Sequence, residues 1–244
     1  MIPIRTTVLP QRVPWANYAL IGANLVVFAY ELTLGVRIEA FVWDYGWVSA
    51  NFSQALHQQV LPPLFPLLSC MFLHGSWLHL LGNLLYLHIF GGSVEDRCGH
   101  VRYLIFYCVG GMVAVFVQTY SAPLSTTPMI GASGAVAAVT GAYLVLFPTA
   151  RVVTVLPVPF SLRLVSLPAG FYLLLWFTLQ LVSGVYAQTP GNRELAQVAW
   201  WAHVGGFVVG VLVGMTFLLG RRRRPRRSRP HSQLVWNNPR SALR

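Results

Sequence analysis

The sequence predicts an all-α membrane protein, a polytopic bundle of six transmembrane helices. Of its 244 residues, 55% are hydrophobic and only 9% are charged, whereas soluble domains carry roughly 25% charged residues. A helix needs about 20 apolar residues to cross a bilayer, and the chain contains six runs of about that length. They are Trp15–Leu34, Ser76–Phe90, Val101–Tyr120, Met129–Phe147, Leu164–Ala187 and Val198–Gly220.

The runs predict one domain, residues 15–220, between an N-terminal segment, residues 1–14, and a C-terminal tail, residues 221–244. The first run is too long for the apolar part of a cleavable signal peptide, and no small-residue cleavage site follows it cleanly. The second run is short, so we expect residues 67–73 to extend it. The longest connection, residues 35–66, is rich in aromatic side chains, which favour the membrane interface.

The arginines predict how the bundle is oriented. All 17 basic residues are arginine, and six spans place both termini on one side of the membrane. With this topology only Arg37 and Arg193 lie on the opposite side. Because positively charged loops remain in the cytoplasm, we expect both termini to be cytoplasmic and the protein to lie in a bacterial inner or plasma membrane.

The densest cationic segment is RRRRPRRSRP, which begins at Arg221. Such runs can bind nucleic acid, but this one directly follows a membrane span. Arginines in that place fix the topology and attract anionic lipid. The sequence therefore favours membrane lipid as a partner and no nucleic acid, and the polar, Pro-rich remainder of the tail is predicted to be disordered.

Unusual polar residues are concentrated in one layer of the predicted bundle. Spans two, four and six all run inwards from the outer face, so residues near the start of each lie at a similar depth. Span two begins with HGSWLHLLGN, which contains His74, His79 and Asn83. Ser133 begins span four, and His203 lies in WWAHVGG at the start of span six. Polar groups inside a membrane are costly and mark functional sites.

Helix lengths place Ser133 and His203 at matching depths. Ser133 lies 15 residues before Pro148, which is about 22 Å of helix, and His203 lies 17 residues before Gly220, about 25 Å. In a hydrocarbon core of about 30 Å, both side chains are several Å beneath the outer surface.

Small residues form stripes beside these two side chains, and such stripes let membrane helices approach closely. The stripes are Ser133–Ala137–Gly141 on span four and Gly206–Gly210–Gly214 on span six. Contact between them would bring Ser133 and His203 within hydrogen-bonding reach. Glycine stripes also occur for packing alone, so they support this contact without establishing it.

Ser133 and His203 form a candidate nucleophile and base. A serine hydroxyl attacks when an adjacent base takes its proton, and a histidine can do this and then protonate the leaving amine. Spans two, four and six contain no Asp or Glu at this depth, so the sequence offers a dyad whose imidazole is oriented by packing and neighbouring groups. His79 and Asn83 lie four residues apart on one helical face. With the amide of Ser133 they can donate to a developing oxyanion.

These motifs resemble those of the rhomboid intramembrane serine proteases. The resemblance covers residues 65–220 and rests on four stretches in order, because GASG alone is a weak signal. The stretches are HGSWLHLLGNLLYL (74–87), GGSVEDRCG (91–99), GASG (131–134) and AHVGGFVVG (202–210). The resemblance implies a six-helix core that hydrolyses peptide bonds in or beside transmembrane segments of other proteins, without a cofactor.

The resemblance also implies roles for individual residues. Ser133 would be the nucleophile and His203 the base, while His79, Asn83 and the Ser133 amide would form the oxyanion hole. The residues expected to support the site are His74, Gly131, Gly134, Gly206 and Gly210. Glu95 and Arg97 match a structural pair near the inner face.

Two positions depart from the family pattern. The first loop carries Phe65-Pro66 where members often have Trp-Arg, so its anchoring is expected to differ. Some members place an aromatic residue four positions after the serine, where it stacks on the histidine, but here that position is Ala137. Neither change removes a reacting group, and the second leaves open what orients His203.

Three other functions fit parts of the sequence. His74, His79 and His203 could bind zinc in a metalloprotease, but HExxH is absent. A non-catalytic relative that binds membrane proteins for trafficking is an alternative, although such chains typically lose the serine or the histidine. A transporter is the third alternative, but the sequence shows neither the inverted repeat nor the pair of broken helices that is typical of one. The sequence predicts no metal, specifies neither substrate nor oligomeric state, and predicts its three cysteines to be small core residues.

Overall fold

The structure is a computed structural model that describes residues 1–158, 161–189, 191–192 and 198–219. This part of the chain is mostly helical. The helices are α1 (Trp15–Thr33), α2 (Ile38–Tyr45), α3 (Ser49–His57), α4 (Phe65–Ser69), α5 (Trp77–Tyr86), α6 (Gly92–Cys98), α7 (His100–Ser121), α8 (Ser133–Leu146), α9 (Ala169–Ala187) and α10 (Trp200–Leu219). A π-helical segment, Leu87–Gly91, joins α5 to α6. The predictions for the arginine-rich tail concern residues outside the described ranges.

A helix lies at each of the six apolar runs, which confirms the prediction of a polytopic helical membrane protein. Within the described ranges, α7, α9 and α10 are each long and apolar enough to cross a membrane. A fourth span results if α1 is joined to the segment Gly35–Tyr45, which is bent from it by 114°. α8 is shorter, with 14 residues, and α5 continues through the π-helical segment into α6. The number of six spans therefore stays a prediction.

Helix α8 lies at the centre of the bundle and positions the site. It is buried from Gly134 to Tyr143 and again at Leu146, and its most extensive contacts are with α10 and then with α7. A helix buried on all sides suits a span that is surrounded by other helices rather than by lipid.

Small residues bring α8 and α10 into backbone contact, as the stripes predict. A Cβ added at Gly206 would collide with the carbonyl of Gly134, and one added at Gly210 would collide with that of Ala138. A Cβ at Gly214 would lie 3.0 Å from the Cα of Ala142. The predicted stripe takes part as well, because a Cβ at Gly141 would collide with the carbonyl of Phe207. The α8 residues opposite the glycines, however, each lie one position after a member of the predicted stripe.

A three-stranded antiparallel sheet is an addition that the all-α prediction missed. Its strands, in the order β1-β2-β3, are β1 (Ile2–Thr6), β2 (Arg151–Val158) and β3 (Ser161–Pro168). Residues 164–168, predicted as the start of span five, belong to β3. The β-branched residues of RVVTVLPV favour a strand, and alternate side chains of β2 face the bundle, where Val152 and Thr154 are fully buried.

Glu95 fastens the start of α1 to α6. Its carboxylate accepts the backbone N–H groups of Ala16 and Asn17 at 3.0 and 2.7 Å. Amides at a helix start lack partners within the helix and favour a negative charge. Arg97, which the resemblance pairs with Glu95, lies with its guanidinium 5.1 Å from the centre of the Phe147 ring.

The long connection after α1 is helical and packs on the segment that leads to Ser133. Trp47 pairs with Met129 in an isolated two-stranded bridge, and its indole N–H donates to Thr119 at 2.8 Å. Phe65 is one of the two residues that depart from the family pattern. Its ring packs edge to face with that of Tyr45, and the ring centres lie 6.0 Å apart. Aromatic packing therefore anchors this loop.

Candidate active site

Ser133 and His203 meet where α8 and α10 begin. The hydroxyl of Ser133 lies 2.8 Å from Nε2 of His203, although the residues are 70 positions apart in the chain. Both side chains are half-buried. The close packing of α8 on α10 holds this contact, because it aligns the first turns of the two helices.

Gly131 shapes the turn before Ser133. Its φ of +121° is a conformation that favours glycine, and its N–H donates to the carbonyl of Cys70 at 2.8 Å. A Cβ at this position would lie 2.5 Å from Cε1 and Nε2 of His79. Glycine therefore lets the His79 ring lie against the backbone that leads to the serine. Ser133 is the first residue of α8, so its amide faces out of the helix start with the positive end of the dipole.

Helix α5 carries His79, whose ring lies against Gly131, and Asn83 one turn later. Ser76 caps the helix, because its hydroxyl accepts the N–H of His79 at 3.2 Å. Asn83 is buried, and its amide nitrogen lies 3.0 Å from Nε2 of His74. The other ring nitrogen of His74 lies 3.2 Å from the carbonyl of Phe72. His74 thus accepts one of the two N–H groups of the Asn83 amide, and the second remains for another partner.

Glu31 is a buried carboxylate beside this layer and is not among the predicted residues. It lies in α1, is 4% exposed, and accepts the backbone N–H of His74 at 3.2 and 3.3 Å. An acidic residue inside an apolar run is a signal that could have found it. Its contact fixes the backbone that carries His74.

Side chains from α9 and α10 surround the imidazole of His203. Its Nδ1 lies 2.8 Å from Oε1 of Gln180. The rings of Trp176 and Trp200 each have their centre 6.1 Å from the imidazole, the first tilted by 37° and the second edge-on. Trp176 therefore occupies the neighbourhood in which the family pattern expects an aromatic residue at Ala137. Neither Gln180 nor Trp176 is among the predicted residues.

The first turn of α10 is held by Gln118 of α7. The side-chain oxygen of Gln118 accepts the backbone N–H groups of Trp201 and Ala202 at 3.1 and 3.2 Å. These amides belong to the helix start, where N–H groups take partners outside the helix, and the Ala202 N–H also donates to the carbonyl of Ala199 at 3.1 Å. The contact with Gln118 fixes the position of the first turn of α10, and with it His203, along the axis of α7.

The zinc alternative is not supported by the side chains. In the described ranges, no group of three His, Cys, Asp or Glu residues is arranged to hold a metal ion. Both ring nitrogens of His74 contact protein groups, and so do both ring nitrogens of His203. Cys70, Cys98 and Cys108 are free thiols, and only Cys70 is fully in the core.

A small cavity with room for one water molecule lies beside Ser133. Its lining includes Ser133, Gly131, Cys70 and Met129. It thus reaches both Ser133 and the turn that precedes it.

Known proteins resemble this chain along most of the bundle. The family model for the rhomboid domain matches residues 62–220. Rhomboid protease GlpG of Haemophilus influenzae is 32% identical over 143 residues, which are 58% of this chain and 63% of that protein. RHOMBOID-like protein 5 of Arabidopsis thaliana is 28% identical over 153 residues, 63% of this chain and 44% of that protein. Rhomboid protein 1, mitochondrial, of Saccharomyces cerevisiae is 26% identical over 203 residues, 81% of this chain and 51% of that protein.

The aligned part of the chain thus spans between 44% and 63% of the length of these three relatives. They come from a bacterium, a plant and yeast mitochondria. The rhomboid domain together with the apolar helices indicates a membrane protein. The matched range contains both side chains of the 2.8 Å contact. The chain belongs to the rhomboid family.

Proposed function

We propose that the protein is an intramembrane serine endopeptidase that hydrolyses peptide bonds in or near transmembrane segments of other membrane proteins. The observation that carries the proposal is the 2.8 Å contact between the Ser133 hydroxyl and Nε2 of His203. A serine within hydrogen-bonding reach of a base that a third group orients is the arrangement of an activated nucleophile.

The reaction follows from this contact. As Ser133 Oγ attacks the peptide carbonyl carbon, Nε2 of His203 takes the hydroxyl proton. The imidazolium then donates this proton to the leaving amine, and the C–N bond breaks to give an acyl-enzyme. A water molecule, for which the cavity beside Ser133 has room, attacks the ester while the same histidine accepts its proton. The ester C–O bond then breaks and the imidazolium returns its proton to Ser133 Oγ, which releases the new carboxyl end and restores the serine.

The carbonyl oxygen gains negative charge in each half of the reaction. The amide of Ser133 at the start of α8 points outwards with the helix dipole, the His79 ring lies against Gly131, and Asn83 follows His79 by one turn of α5. Donors placed where charge develops are a large source of rate enhancement. We assign these three groups to the oxyanion hole.

The substrate must expose its backbone before it can react. In a helix, each peptide carbonyl accepts a hydrogen bond from the N–H of the residue four positions later. The substrate helix therefore has to unwind around the bond that is cut. Segments with helix-destabilising small residues near the cut are therefore the proposed substrates. The arginine bias of the loops supports a cytoplasmic location for both termini and a plasma membrane for the bundle.

Inhibitors separate the mechanistic classes. We expect a fluorophosphonate to stop cleavage of a reconstituted transmembrane substrate, because it reacts with an activated serine, and a chelator such as EDTA to leave the rate unchanged. The measurement is cleavage by the purified protein in liposomes, followed on gels. Inhibition by the chelator alone would assign a metalloprotease. Binding of the substrate without cleavage or labelling would instead assign a non-catalytic relative.

Replacement of Asn83 by alanine tests the oxyanion hole. We expect kcat to fall by up to about a hundredfold with little change in KM, which is the size of effect seen when one oxyanion donor is lost. Because Asn83 also contacts His74, the matched variant His74→Phe removes the same hydrogen bond and keeps the amide. Asn83→Ala should be the slower of the two. An unchanged rate would remove Asn83 from the oxyanion hole.

A further inference from the structure

We propose that Gln180 is a positioning residue for the dyad: its side-chain carbonyl accepts the Nδ1 proton of His203, which keeps Nε2 free to receive the proton of Ser133. This inference rests on the proposed function and adds a third group to the site. The contact between Oε1 of Gln180 and Nδ1 of His203 measures 2.8 Å, the same as that between Nε2 and the serine.

The place of Gln180 on α9 supports a role inside the protein. Its side chain is 9% exposed, and it lies on the buried face of the helix with Tyr172, Leu173 and Gly184. The other faces of α9 are largely exposed and apolar, as a lipid-facing surface should be. An amide costs free energy in this setting unless it is hydrogen-bonded, and the hydrogen bond to His203 accounts for its presence.

The chemistry requires a choice between two forms of the imidazole. A neutral histidine carries one ring proton, on either Nδ1 or Nε2, and only the form with the proton on Nδ1 can act as a base through Nε2. An acceptor at Nδ1 selects that form. If the amide of Gln180 were turned over, its NH₂ group would donate to Nδ1 and select the inactive form.

In soluble serine proteases an aspartate performs this task. A carboxylate buried at membrane depth is expensive, whereas an amide carbonyl accepts the same proton without a net charge. Trp176 packs beside the ring, with centres 6.1 Å apart and the planes tilted by 37°, but such a contact does not distinguish the two nitrogens. Gln180 therefore determines which ring nitrogen carries the proton, which aromatic packing cannot do.

Kinetics of Gln180→Met, Gln180→Glu and the control Gln188→Met test the role. Methionine keeps the length of the side chain but lacks the acceptor, so we expect kcat to fall between about tenfold and about a hundredfold, with KM unchanged. Glutamate restores an acceptor oxygen but adds the charge that this depth disfavours, so its kcat should lie between those of Gln180→Met and the wild type. Gln188 is an exposed residue just after α9, and its replacement should change nothing. An unchanged kcat for Gln180→Met would overturn the proposal, even if thermal stability fell.

Nitrogen-15 NMR of His203 gives a readout that does not require proteolysis. We expect the proton to reside on Nδ1 in the wild-type protein and to be shared between both nitrogens in Gln180→Met. A wild-type spectrum with the proton on Nε2 would overturn the proposal, and so would a spectrum that the substitution leaves unchanged. If Gln180→Met does not fold, the wild-type spectrum alone still tests the proposal, because it shows which ring nitrogen of His203 carries the proton. Failure of the protease assignment would appear separately, as an absence of cleavage and of fluorophosphonate labelling in the wild type.

Discussion

Replacing Ser133 or His203 by alanine is expected to lower kcat by about 10⁵-fold or more, to the background of the assay. Ser133→Ala removes the atom that forms the acyl bond, and His203→Ala leaves the hydroxyl without the base that lies 2.8 Å away. Because the two groups act as one unit, the double variant should be no slower than either single variant. Cleavage of a reconstituted transmembrane substrate measures the effect.

The controls for this prediction are Ser161→Ala and His57→Ala, which change exposed residues of the same types away from the site. Both controls should cleave at the wild-type rate. All four proteins should unfold at similar temperatures, because neither reacting side chain is part of the packed glycine interface. Wild-type proteolysis by purified Ser133→Ala or His203→Ala would contradict the dyad.

Replacing Gly210 by valine is expected to lower both activity and stability. A side chain there would collide with the carbonyl of Ala138, and the helices α8 and α10 would have to move apart. Overpacking of this kind costs about 1–3 kcal/mol or more, and a displacement of about 1 Å at a reacting pair lowers the rate by about a hundredfold. We expect at least that loss in kcat, together with a lower unfolding temperature.

Gly22→Val is the matched control for this substitution. Gly22 lies in α1, and a Cβ added there meets no atom within 4 Å. The control should therefore keep the activity and the unfolding temperature of the wild type. If Gly210→Val behaved like Gly22→Val, the close packing of α8 on α10 would not be what aligns the serine and the histidine.

The meeting of Ser133 and His203 could be predicted because two independent patterns point to it. Both residues begin apolar runs that the sequence predicts to cross the membrane in the same direction, and both lie beside stripes of small residues that allow close packing. Gly141 of the predicted α8 stripe lies against the backbone of α10, but the residues that face the α10 glycines lie one position later than the predicted ones. Stripes made of Ala and Gly overlap along that helix, so spacing alone does not distinguish neighbouring faces.

Gln180 and the sheet could not be placed in the same way. Gln180 stands alone in an apolar helix, and no spacing within its own span relates it to His203, 23 residues later. Its polarity marks it as inward-facing, but its partner depends on how α9 rotates against α10. The strand β3 was assigned to span five because a short apolar run does not distinguish a strand from a helix.

Mass spectrometry of the protein after reaction with a fluorophosphonate tests the central claim most directly. The adduct should lie on Ser133 alone, and it should disappear in His203→Ala, because without the base the hydroxyl is an ordinary alcohol. Labelling of any other residue, or labelling of Ser133 that persists at full rate without His203, would contradict the account.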